Sequence, residues 1–347
     1  MNAIIKNDIN EVLLTNLDWS YFSGKTVLIS GASGMLASYL VYTLLQLNTN
    51  KMTDKPVKVI GLVRNLEYAN KKFFSINSNF FNLIEKDLSK EIDISLDVDV
   101  IIHTASHASP KFYNTDPVGT MMPNIVGTMN LLELARKKQV DKFLFFSSGE
   151  IYGHQDSRKS SISEDDYGRI DYLNIRSCYA VSKIAGEVMC ISYGHQYDID
   201  VKIVRPFHTY GPGMKLDDGR VFADFVNNIV NNENIKIKSN GLQKRSFCYI
   251  SDATAGFFYV LLNGDSNVAY NIANPYQDIS IRELADVLVA LFPHKDLKVL
   301  MLNEHQEGCS KSAVKEQLPD ITLLKKLGWQ ESVSIQEGFK RVVKSFS

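Results

Sequence analysis

A glycine-containing turn near the N-terminus restricts the possible folds of this chain more than any other feature. After Lys25 a β-branched strand runs into Gly31, Gly34 and Ala37, and an apolar helix follows from residue 39 to residue 47. Glycine at such a turn lets the backbone approach a pyrophosphate, and the helix N-terminus offers free N–H groups to the anion. The order of strand, turn and helix therefore predicts a dinucleotide-binding unit, although small residues in a turn can also serve packing alone.

Strands and helices continue to alternate over roughly the first 195 residues, which is the pattern of an α/β fold. The segment from Val98 to His103 is almost entirely apolar, as expected of a parallel strand covered on both faces. We therefore predict a Rossmann-type doubly wound parallel sheet. Its further strands are expected at residues 57–63, 83–88, 98–103, 143–146 and 201–204, with amphipathic helices at 124–138 and 281–292.

The chain divides into three predicted regions. Residues 1–22 form a short helical extension that packs on the rest of the protein. Residues 23–200 form mainly the dinucleotide-binding domain, and residues 201–347 form mainly a smaller α/β substrate-binding lobe. The chain is expected to cross between the last two regions.

Polar or small residues follow several predicted strands, at the edge where α/β sheets bind ligands. Arg64 ends the second strand, where a carboxylate would favour NAD and an arginine would favour NADP, so the cofactor choice stays open at this position. Asp87 ends the third strand and is a candidate partner for the adenine amino group. Residues 104–106, Thr-Ala-Ser, end the fourth strand beside the predicted turn.

The stretch from residue 145 to residue 183 carries the candidate catalytic groups. An apolar strand breaks into Ser148 and Glu150, and Tyr179 and Lys183 stand four residues apart, so on a helix both point from one face. An ammonium beside a phenol favours the phenolate and lowers its pKa. With Ser148 holding a substrate alcohol, the pair could remove a proton from a carbinol while its hydride leaves. A solvated helix face is the alternative for Tyr-x-x-x-Lys alone.

Net charge, apolar runs and the spacing of cysteines and histidines limit the classes of partner and metal that we expect. The formal net charge of -1 gives no reason to expect nucleic acid or an anionic membrane, and no apolar run approaches the ~18 residues of a membrane span. The four cysteines lack Cys-x-x-Cys spacing and are interpreted as reduced thiols of a cytoplasmic protein. His103, His107 and His208 lack further ligands at metal-binding spacing, so we predict no metal site.

With these motifs in place, the chain resembles the extended short-chain dehydrogenases/reductases that modify nucleotide sugars, the NAD-dependent epimerase/dehydratase family. Within that group it is most similar to the UDP-glucuronate decarboxylases, and next to the sugar-nucleotide 4,6-dehydratases. The resemblance extends from about Lys25 to Phe346. Segments that carry it include residues 31–34, 103–113, 124–133, 148–153, 176–183, 205–212, 217–221, 245–252 and 327–329.

The resemblance implies NAD as cofactor, a nucleotide-sugar substrate and a homodimer formed through helices near residues 124–138 and 178–193. The implied cofactor-binding residues are Gly31, Ser33, Gly34, Met35, Leu36, Arg64, Asp87, Leu88, Thr104, Ala105, Ser106, Tyr179 and Lys183. The implied substrate-binding residues are Lys111, Tyr113, His208, Arg220 and Arg245. The two arginines are the natural diphosphate partners because a guanidinium binds phosphate in bidentate fashion, with surface ion pairs as the alternative.

The implied mechanism begins with oxidation at C4 of the sugar. Tyr179 takes the hydroxyl proton, Lys183 lowers the Tyr179 pKa and holds the nicotinamide ribose, and Ser148 binds the C4 oxygen. The 4-ketone then acidifies C5–H or labilises a C5 carboxylate. Glu150 occupies the position of the group that acts at C5, and hydride finally returns to the sugar.

Three positions depart from the pattern of these relatives. Gly149 replaces the acid of many dehydratases and the serine of the decarboxylases. Gln317 replaces an arginine of the decarboxylases, so its positive charge would have to come from Lys311 or Lys315. His208 follows Phe207 where the relatives have asparagine, which implies altered substrate contacts.

We therefore expect a decarboxylase-like lyase, with a 4,6-dehydratase or an epimerase as alternatives. An alternative from another class is a non-catalytic dinucleotide-sensing protein. The complete set of Ser148, Tyr179 and Lys183 argues against that alternative, because a sensor needs none of them.

Overall fold

The computed structural model describes residues 1–76, 78–155, 159–302 and 318–346. The strands are, in chain order, β1 (Thr26–Ser30), β2 (Lys58–Val63), β3 (Phe81–Glu85), β4 (Val100–His103), β5 (Lys142–Phe146), β6 (Ser161–Ile162), β7 (Val201–Pro206), β8 (His208–Tyr210), β9 (Ile235–Ile237), β10 (Lys244–Tyr249), β11 (Val268–Ile272), β12 (Asp278–Ser280), β13 (Val299–Met301) and β14 (Leu318–Pro319).

The helices surround and connect these strands. In chain order they are α1 (Ala3–Leu13), α2 (Met35–Thr49), α3 (Leu66–Lys72), α4 (Pro110–Thr115), α5 (Pro117–Lys138), α6 (Cys178–Tyr197), α7 (Val221–Val230), α8 (Ile250–Asn263), α9 (Ile281–Leu291), α10 (Thr322–Lys326) and α11 (Ile335–Lys344). Short 3₁₀ turns occur at Trp19–Phe22, Gly149–Tyr152, Ile175–Ser177, Pro275–Gln277 and Pro293–Lys295.

A seven-stranded parallel sheet forms the centre of the molecule, in the order β11-β7-β5-β4-β1-β2-β3. From β1 the chain adds β2 and β3 on one side of that strand, and then crosses to add β4, β5, β7 and β11 on the other side. This order places a topological switch point between β1 and β4, where open α/β sheets bind their ligands. The predicted doubly wound parallel sheet is confirmed.

Both faces of this sheet are buried because successive residues of a strand point to opposite sides. In β1, Leu28 belongs to one core with Leu131 of α5 and Cys190 of α6. Its neighbours Val27 and Ile29 belong to the second core, which contains residues of α1, α2 and α8. Near-continuous apolar strands are the consequence, as the sequence shows for β4 and β5.

Smaller sheets lie in the C-terminal part of the chain and at its edges. A three-stranded sheet has the order β12-β10-β8, and β9 pairs with β13 and β6 pairs with β14. After building β8 to β10, the chain returns to the central sheet through β11, which pairs with β7. The C-terminal 147 residues therefore supply two central strands as well as every strand of the small sheets except β6.

Several predicted boundaries differ from the structure. The third strand lies at Phe81–Glu85 instead of 83–88, because it pairs with β2 from Phe81 onward. The helix predicted at 124–138 begins at Pro117, where the Asp116 side chain accepts from the Gly119 N–H over 3.0 Å. Pro123 lies inside this helix, and proline is disfavoured in a helix interior. The first two turns were therefore not predicted as helix.

The N-terminal extension is shorter as a helix than predicted but is firmly attached. Helix α1 ends at Leu13, and a separate 3₁₀ turn contains Trp19. The Asp8 carboxylate of α1 is buried and accepts hydrogen bonds from the Tyr39 and Tyr249 hydroxyls over 2.7 and 2.9 Å. The extension thus joins the first helix of the central sheet to the small sheet.

Candidate active site

The candidate site lies at the carboxyl edge of the central sheet. Ser30 of β1 pairs with His103 of β4, and His103 pairs with Phe145 of β5, so the residues that follow these strands meet at one edge. The glycine turn, Thr104 and Ser148 are therefore neighbours, as the sequence predicted from strand ends.

The glycine turn packs directly on the end of β4. Gly31 has φ +66°, and a Cβ atom there would lie 2.8 Å from the Ala105 Cα atom, so only glycine fits. Gly34 stands at the N-cap of α2 and provides no side-chain cap. The first N–H groups of α2, from Met35 and Leu36, consequently remain available to an anion.

Ser30 fixes the segment after β4 against the turn. Its hydroxyl accepts from the backbone N–H groups of Thr104 and Ala105 over 3.1 and 3.2 Å, so its own proton goes to His103 Nδ1 at 2.8 Å. His103 Nε2 then donates to Thr128 Oγ1 over 3.0 Å. Burial lowers the pKa of His103 to about 3, so this imidazole stays neutral and has a structural role.

The residues predicted around the adenosine lie near one another. The Arg64 guanidinium Nη1 lies 2.6 Å from His107 Nε2. The Asp87 carboxylate accepts from the N–H and hydroxyl of Ser89 over 3.0 and 2.7 Å, and these bonds lower its pKa. Leu88 is buried against α5. The assignment of Asp87 to the adenine amino group remains a prediction.

Tyr179 stands at the start of α6 and is almost fully buried. Its ring stacks on the Tyr113 ring with 5.0 Å between centroids and 14° between planes. The Ser148 hydroxyl accepts from the Glu150 N–H over 3.2 Å, so its proton is free to point towards the neighbouring Tyr179 phenol. Ser106 lies beside the same phenol, but its buried hydroxyl completes no hydrogen bond within the described residues.

The Tyr179 pKa is raised, which corrects the expectation that Lys183 lowers it. Burial is the main cause, and the neighbouring Ser148 hydroxyl acts in the opposite direction. The Lys183 Nζ atom does not reach the phenol oxygen: it donates to the Phe146 carbonyl oxygen over 2.6 Å and lies 5.9 Å from the Tyr179 ring centre. Burial lowers the pKa of Lys183 itself to about 7.

Gly149 and Glu150 lie in the 3₁₀ turn that follows Ser148. A Cβ atom at Gly149 would lie 3.0 Å from two carbons of the Phe207 ring, so a side chain there would displace that ring. The Glu150 carboxylate is exposed, and its charge contributes to the raised pKa of both Tyr113 and Tyr179. Glu150 is therefore close to the candidate proton-transfer group without being buried against it.

The predicted substrate residues fall into two groups. Tyr113 and Arg220 both donate to the Ala108 carbonyl oxygen, over 3.1 and 3.2 Å, beside Tyr179. His208 is partly buried, and its pKa is lowered to about 3 by desolvation and by the charges of Arg245 and Arg220. Lys111 is exposed on α4, one turn before the end of that helix. Gln317, Lys311 and Lys315 lie outside the described residues.

Sequence reasoning missed one residue of this region, Lys72. The Nζ atom of Lys72, at the end of α3, donates to the carbonyl oxygens of Ser33 and Gly34 in the glycine turn, over 3.0 and 3.3 Å. No motif in the sequence distinguishes Lys72 from its neighbour Lys71. Lys71 faces solvent and forms an ion pair with Glu67, so residue type alone does not identify the lysine that reaches the turn.

The residues present fit a bound dinucleotide. The start of α2 after the glycine turn has no side-chain cap, and the Ser106 hydroxyl near Tyr179 is buried without a partner among the described residues. In the described part of the chain, no three His, Cys, Asp or Glu side chains form a group able to hold a metal ion. Within the same ranges no helix combines the length and apolarity needed to cross a membrane.

The fold and this site define a dinucleotide-dependent enzyme of the extended short-chain dehydrogenase/reductase type. Residues 27–273 match the model of the NAD dependent epimerase/dehydratase family, and the chain belongs to that family. The resemblance found in the sequence and the prediction of NAD as cofactor are thereby confirmed.

Individual relatives cover most of the chain. UDP-glucuronic acid decarboxylase 6 of Arabidopsis thaliana is 33% identical over 325 residues, which are 93% of this chain and 89% of the relative. The UDP-glucuronic acid 4-epimerase of Bacillus cereus, solved with UDP-glucuronic acid and NAD, has a TM-score of 0.75 and 23% identity, covering 92% of this chain and 98% of its own. The dTDP-glucose 4,6-dehydratase of Bacillus anthracis, solved with NAD, has a TM-score of 0.70 and 19% identity. The match covers 93% of this chain and 96% of the dehydratase chain.

Proposed function

We propose that this protein modifies a nucleotide sugar by transient oxidation at C4, and that its reaction is a decarboxylation like that of the UDP-glucuronate decarboxylases. The observation that carries the proposal is the Ser148 hydroxyl beside the buried Tyr179 phenol, at the strand edge next to the glycine turn. The relatives named as UDP-glucuronic acid decarboxylases, which match over most of their length, support the choice of reaction.

Each residue has a defined task in this proposal. Bound NAD supplies a hydride acceptor that later returns the hydride. Tyr179 removes the proton of the sugar C4 hydroxyl, which requires its phenolate form, while Ser148 donates a hydrogen bond to the same sugar oxygen. Because burial raises the Tyr179 pKa, the positive charges of the oxidised nicotinamide and of Lys183 must favour the phenolate in the complex. Lys183 supplies positive charge behind the Tyr179 ring, 5.9 Å from its centre. When hydride returns to C4, Tyr179 gives the proton back to the C4 oxygen, so the residue is regenerated.

The step at C5 follows from the 4-ketone. Loss of carbon dioxide leaves the C–C bonding electrons on C5, where the neighbouring carbonyl stabilises them as an enolate. A proton must then be added to C5. Glu150 is exposed and close enough to Tyr179 to influence the Tyr179 pKa. This position suits Glu150 to deliver the proton to C5, directly or through water.

The geometry at Gly149 argues against a 4,6-dehydratase. That reaction eliminates a hydroxyl group and benefits from an acid at this position, but Gly149 has no side chain and Phe207 occupies the adjoining space. An epimerase is the second alternative, and it needs no group at C5. The charge of Glu150 beside the two phenols favours chemistry at C5 over simple epimerisation.

The proposal includes a cytoplasmic homodimer. Helices α5 and α6 pack against each other, and both present large apolar side chains to solvent on the described surface. Examples are Met122 and Met129 of α5 and Val188 and Ile191 of α6. Exposed apolar surface on a helix pair marks an interaction site. Light scattering after size exclusion is expected to give the mass of two chains, and Val188→Glu is expected to give monomers.

Separate incubations with UDP-glucuronate, dTDP-glucose, GDP-mannose and CDP-glucose test the reaction. We expect mass spectrometry to find loss of carbon dioxide from UDP-glucuronate only. Loss of water from another sugar would instead identify a dehydratase, and a product of unchanged mass with a new chromatographic position an epimerase.

A Tyr179→Phe variant tests the proposed base. The rate is expected to fall roughly a hundredfold or more, since general base catalysis typically contributes 10²–10⁴-fold. Phenylalanine preserves the stack on Tyr113, so thermal stability and NAD binding should stay close to those of the wild type. If no sugar nucleotide reacts and Tyr179→Phe changes nothing, the protein is not this enzyme, and the dinucleotide-sensing alternative gains support.

A further inference from the structure

Lys72 occupies an unusual position for a lysine at the end of a surface helix. Its ammonium group reaches from α3 to the glycine turn and donates to the carbonyl oxygens of Ser33 and Gly34. Those carbonyls belong to the turn whose N–H groups, one and two residues further on, are left for an anion. Lys72 therefore fixes the turn and also brings a positive charge to it.

The loop that follows β8 lies over the same lysine. A Cβ atom at Gly213 would be 4.0 Å from Lys72 Nζ, so the loop backbone runs directly past the ammonium group. Lys215 of this loop is exposed, and its charge is close enough to lower the pKa of both Lys72 and His107. Two lysines from opposite halves of the chain thus converge beside the glycine turn.

Neither lysine is neutralised by a carboxylate of the described residues. Within the described ranges, no Asp or Glu oxygen lies within ion-pair distance of Lys72 or Lys215, whereas Lys71 pairs with Glu67 over 2.7 Å. The pKa of Lys72 is lowered to about 8, mainly by burial and also by the charge of Lys215, because like charges that approach without a counter-ion repel each other. An anion bound between them would remove the repulsion.

We propose that Lys72 and Lys215 form a clamp on the diphosphate of the dinucleotide cofactor. Lys72 holds the glycine turn in its binding conformation from one side, and Lys215 brings the loop of residues 211–219 to the other. The same loop continues to Asp218, whose carbonyl oxygen accepts from the Ser109 hydroxyl over 2.5 Å, and to Arg220 beside Tyr179. Cofactor binding therefore also steadies the segment that borders the substrate region. This inference depends on NAD as cofactor and not on which sugar is modified.

A purely structural Lys72 is the competing explanation. In that case the two hydrogen bonds to the turn stabilise the fold, and removing them lowers the melting temperature without a specific effect on NAD. The two explanations differ in salt dependence, because a lysine that neutralises a bound phosphate makes affinity fall as salt rises.

Calorimetric titration of NAD into nucleotide-free protein at several salt concentrations tests the clamp. The variants are Lys72→Met, Lys72→Arg and Lys215→Met, with Lys71→Met as the matched control on the same helix. We expect Lys72→Met to weaken NAD binding about tenfold to a hundredfold, as for a charge-assisted hydrogen bond. We expect Lys215→Met to weaken it several-fold, and both to show a shallower dependence on salt.

Three further results are expected if Lys72 and Lys215 bind the diphosphate. Lys72→Arg is expected to keep most of the affinity, Lys71→Met to behave as wild type, and UDP binding to be the same in all variants. The clamp is wrong if Lys72→Met or Lys215→Met binds NAD with wild-type affinity and salt dependence. It is also wrong if Lys72→Arg loses as much affinity as Lys72→Met. A result on UDP-glucuronate turnover leaves this test unaffected, since the readout is NAD binding alone.

Discussion

Lys183 of α6 donates a hydrogen bond to the carbonyl oxygen of Phe146, the last residue of β5, over 2.6 Å. This bond joins the helix that carries Tyr179 to the strand that leads into Ser148. It sets the spacing of the phenol and the serine hydroxyl, which belong to segments about thirty residues apart in the chain. Lys183 therefore does more than supply positive charge: it also positions the Tyr179 phenol and the Ser148 hydroxyl, on which proton transfer depends.

The burial of Lys183 predicts a specific dependence of stability on pH. Its pKa is about 7 in the folded protein and 10.5 in an ordinary environment. Between these values the unfolded chain binds more protons than the folded protein, so the free energy of unfolding rises with pH across this window. Below pH 7 the cost of burying the charge is present in full.

Lys183→Met removes this contribution. From pH 7 to pH 10, the wild type is expected to gain up to about 4 kcal/mol in unfolding free energy relative to the variant, since one pKa unit corresponds to about 1.4 kcal/mol. Denaturant titrations across this range measure the difference, and other titrating groups cancel in the comparison. Lys71→Met is the control and should follow the wild type. A difference that does not change with pH would contradict the assignment of this pKa.

Gly149 is predicted to be intolerant of the serine found in the related decarboxylases. A Cβ atom there would press on the Phe207 ring at 3.0 Å, so Gly149→Ser is expected to destabilise the protein by roughly 1–3 kcal/mol. Phe207→Leu together with Gly149→Ser should recover part of this loss. Thermal unfolding of the two single variants and the double variant gives the coupling energy. Strictly additive effects would mean that the two residues are not in this contact.

Asp8 is predicted to hold the N-terminal extension to the body of the protein. Asp8→Ala removes one of the three carboxylates that bind the Arg341 guanidinium, the one at 2.8 Å, and leaves two tyrosine hydroxyls without their acceptor. The expected loss is about 2–4 kcal/mol, because each buried donor left without an acceptor costs about 1–3 kcal/mol. Glu11→Ala is the matched control, because Glu11 binds the same arginine while half-exposed, and it should cost under about 1 kcal/mol. Equal losses would refute the special role of Asp8.

The strands of the central sheet could be predicted from the sequence because they are buried on both faces. Apolar runs such as β4 and β5 leave little choice of conformation, and the residues that end them mark the site edge. The last central strand, β11, was missed. Val268 and Ala269 are only partly buried, and Asn271 interrupts the run with an amide that is buried and hydrogen-bonded to the Tyr152 hydroxyl. Such a polar core residue cannot be recognised before its partner is known.

The candidate site could be predicted as a set of residues, but not as a set of contacts. The spacing of Tyr179 and Lys183 correctly placed both on one helix. It could not reveal that Lys183 bonds to a strand carbonyl, because that depends on how α6 packs on β5. The raised pKa of Tyr179 follows from burial by Tyr113 and its neighbours, which come from a distant segment. Lys72 carried no signal, since only tertiary structure distinguishes it from Lys71.

In the proposed reaction, hydride leaves C4 of the sugar and returns to the same carbon after carbon dioxide is lost. Turnover of UDP-glucuronate carrying deuterium at C4, followed by mass spectrometry of the product, tests this path. We expect a UDP-pentose that has lost carbon dioxide and retains the deuterium at C4, without accumulation of reduced cofactor. A product that has lost the label, or UDP-glucuronate recovered unchanged, would contradict it.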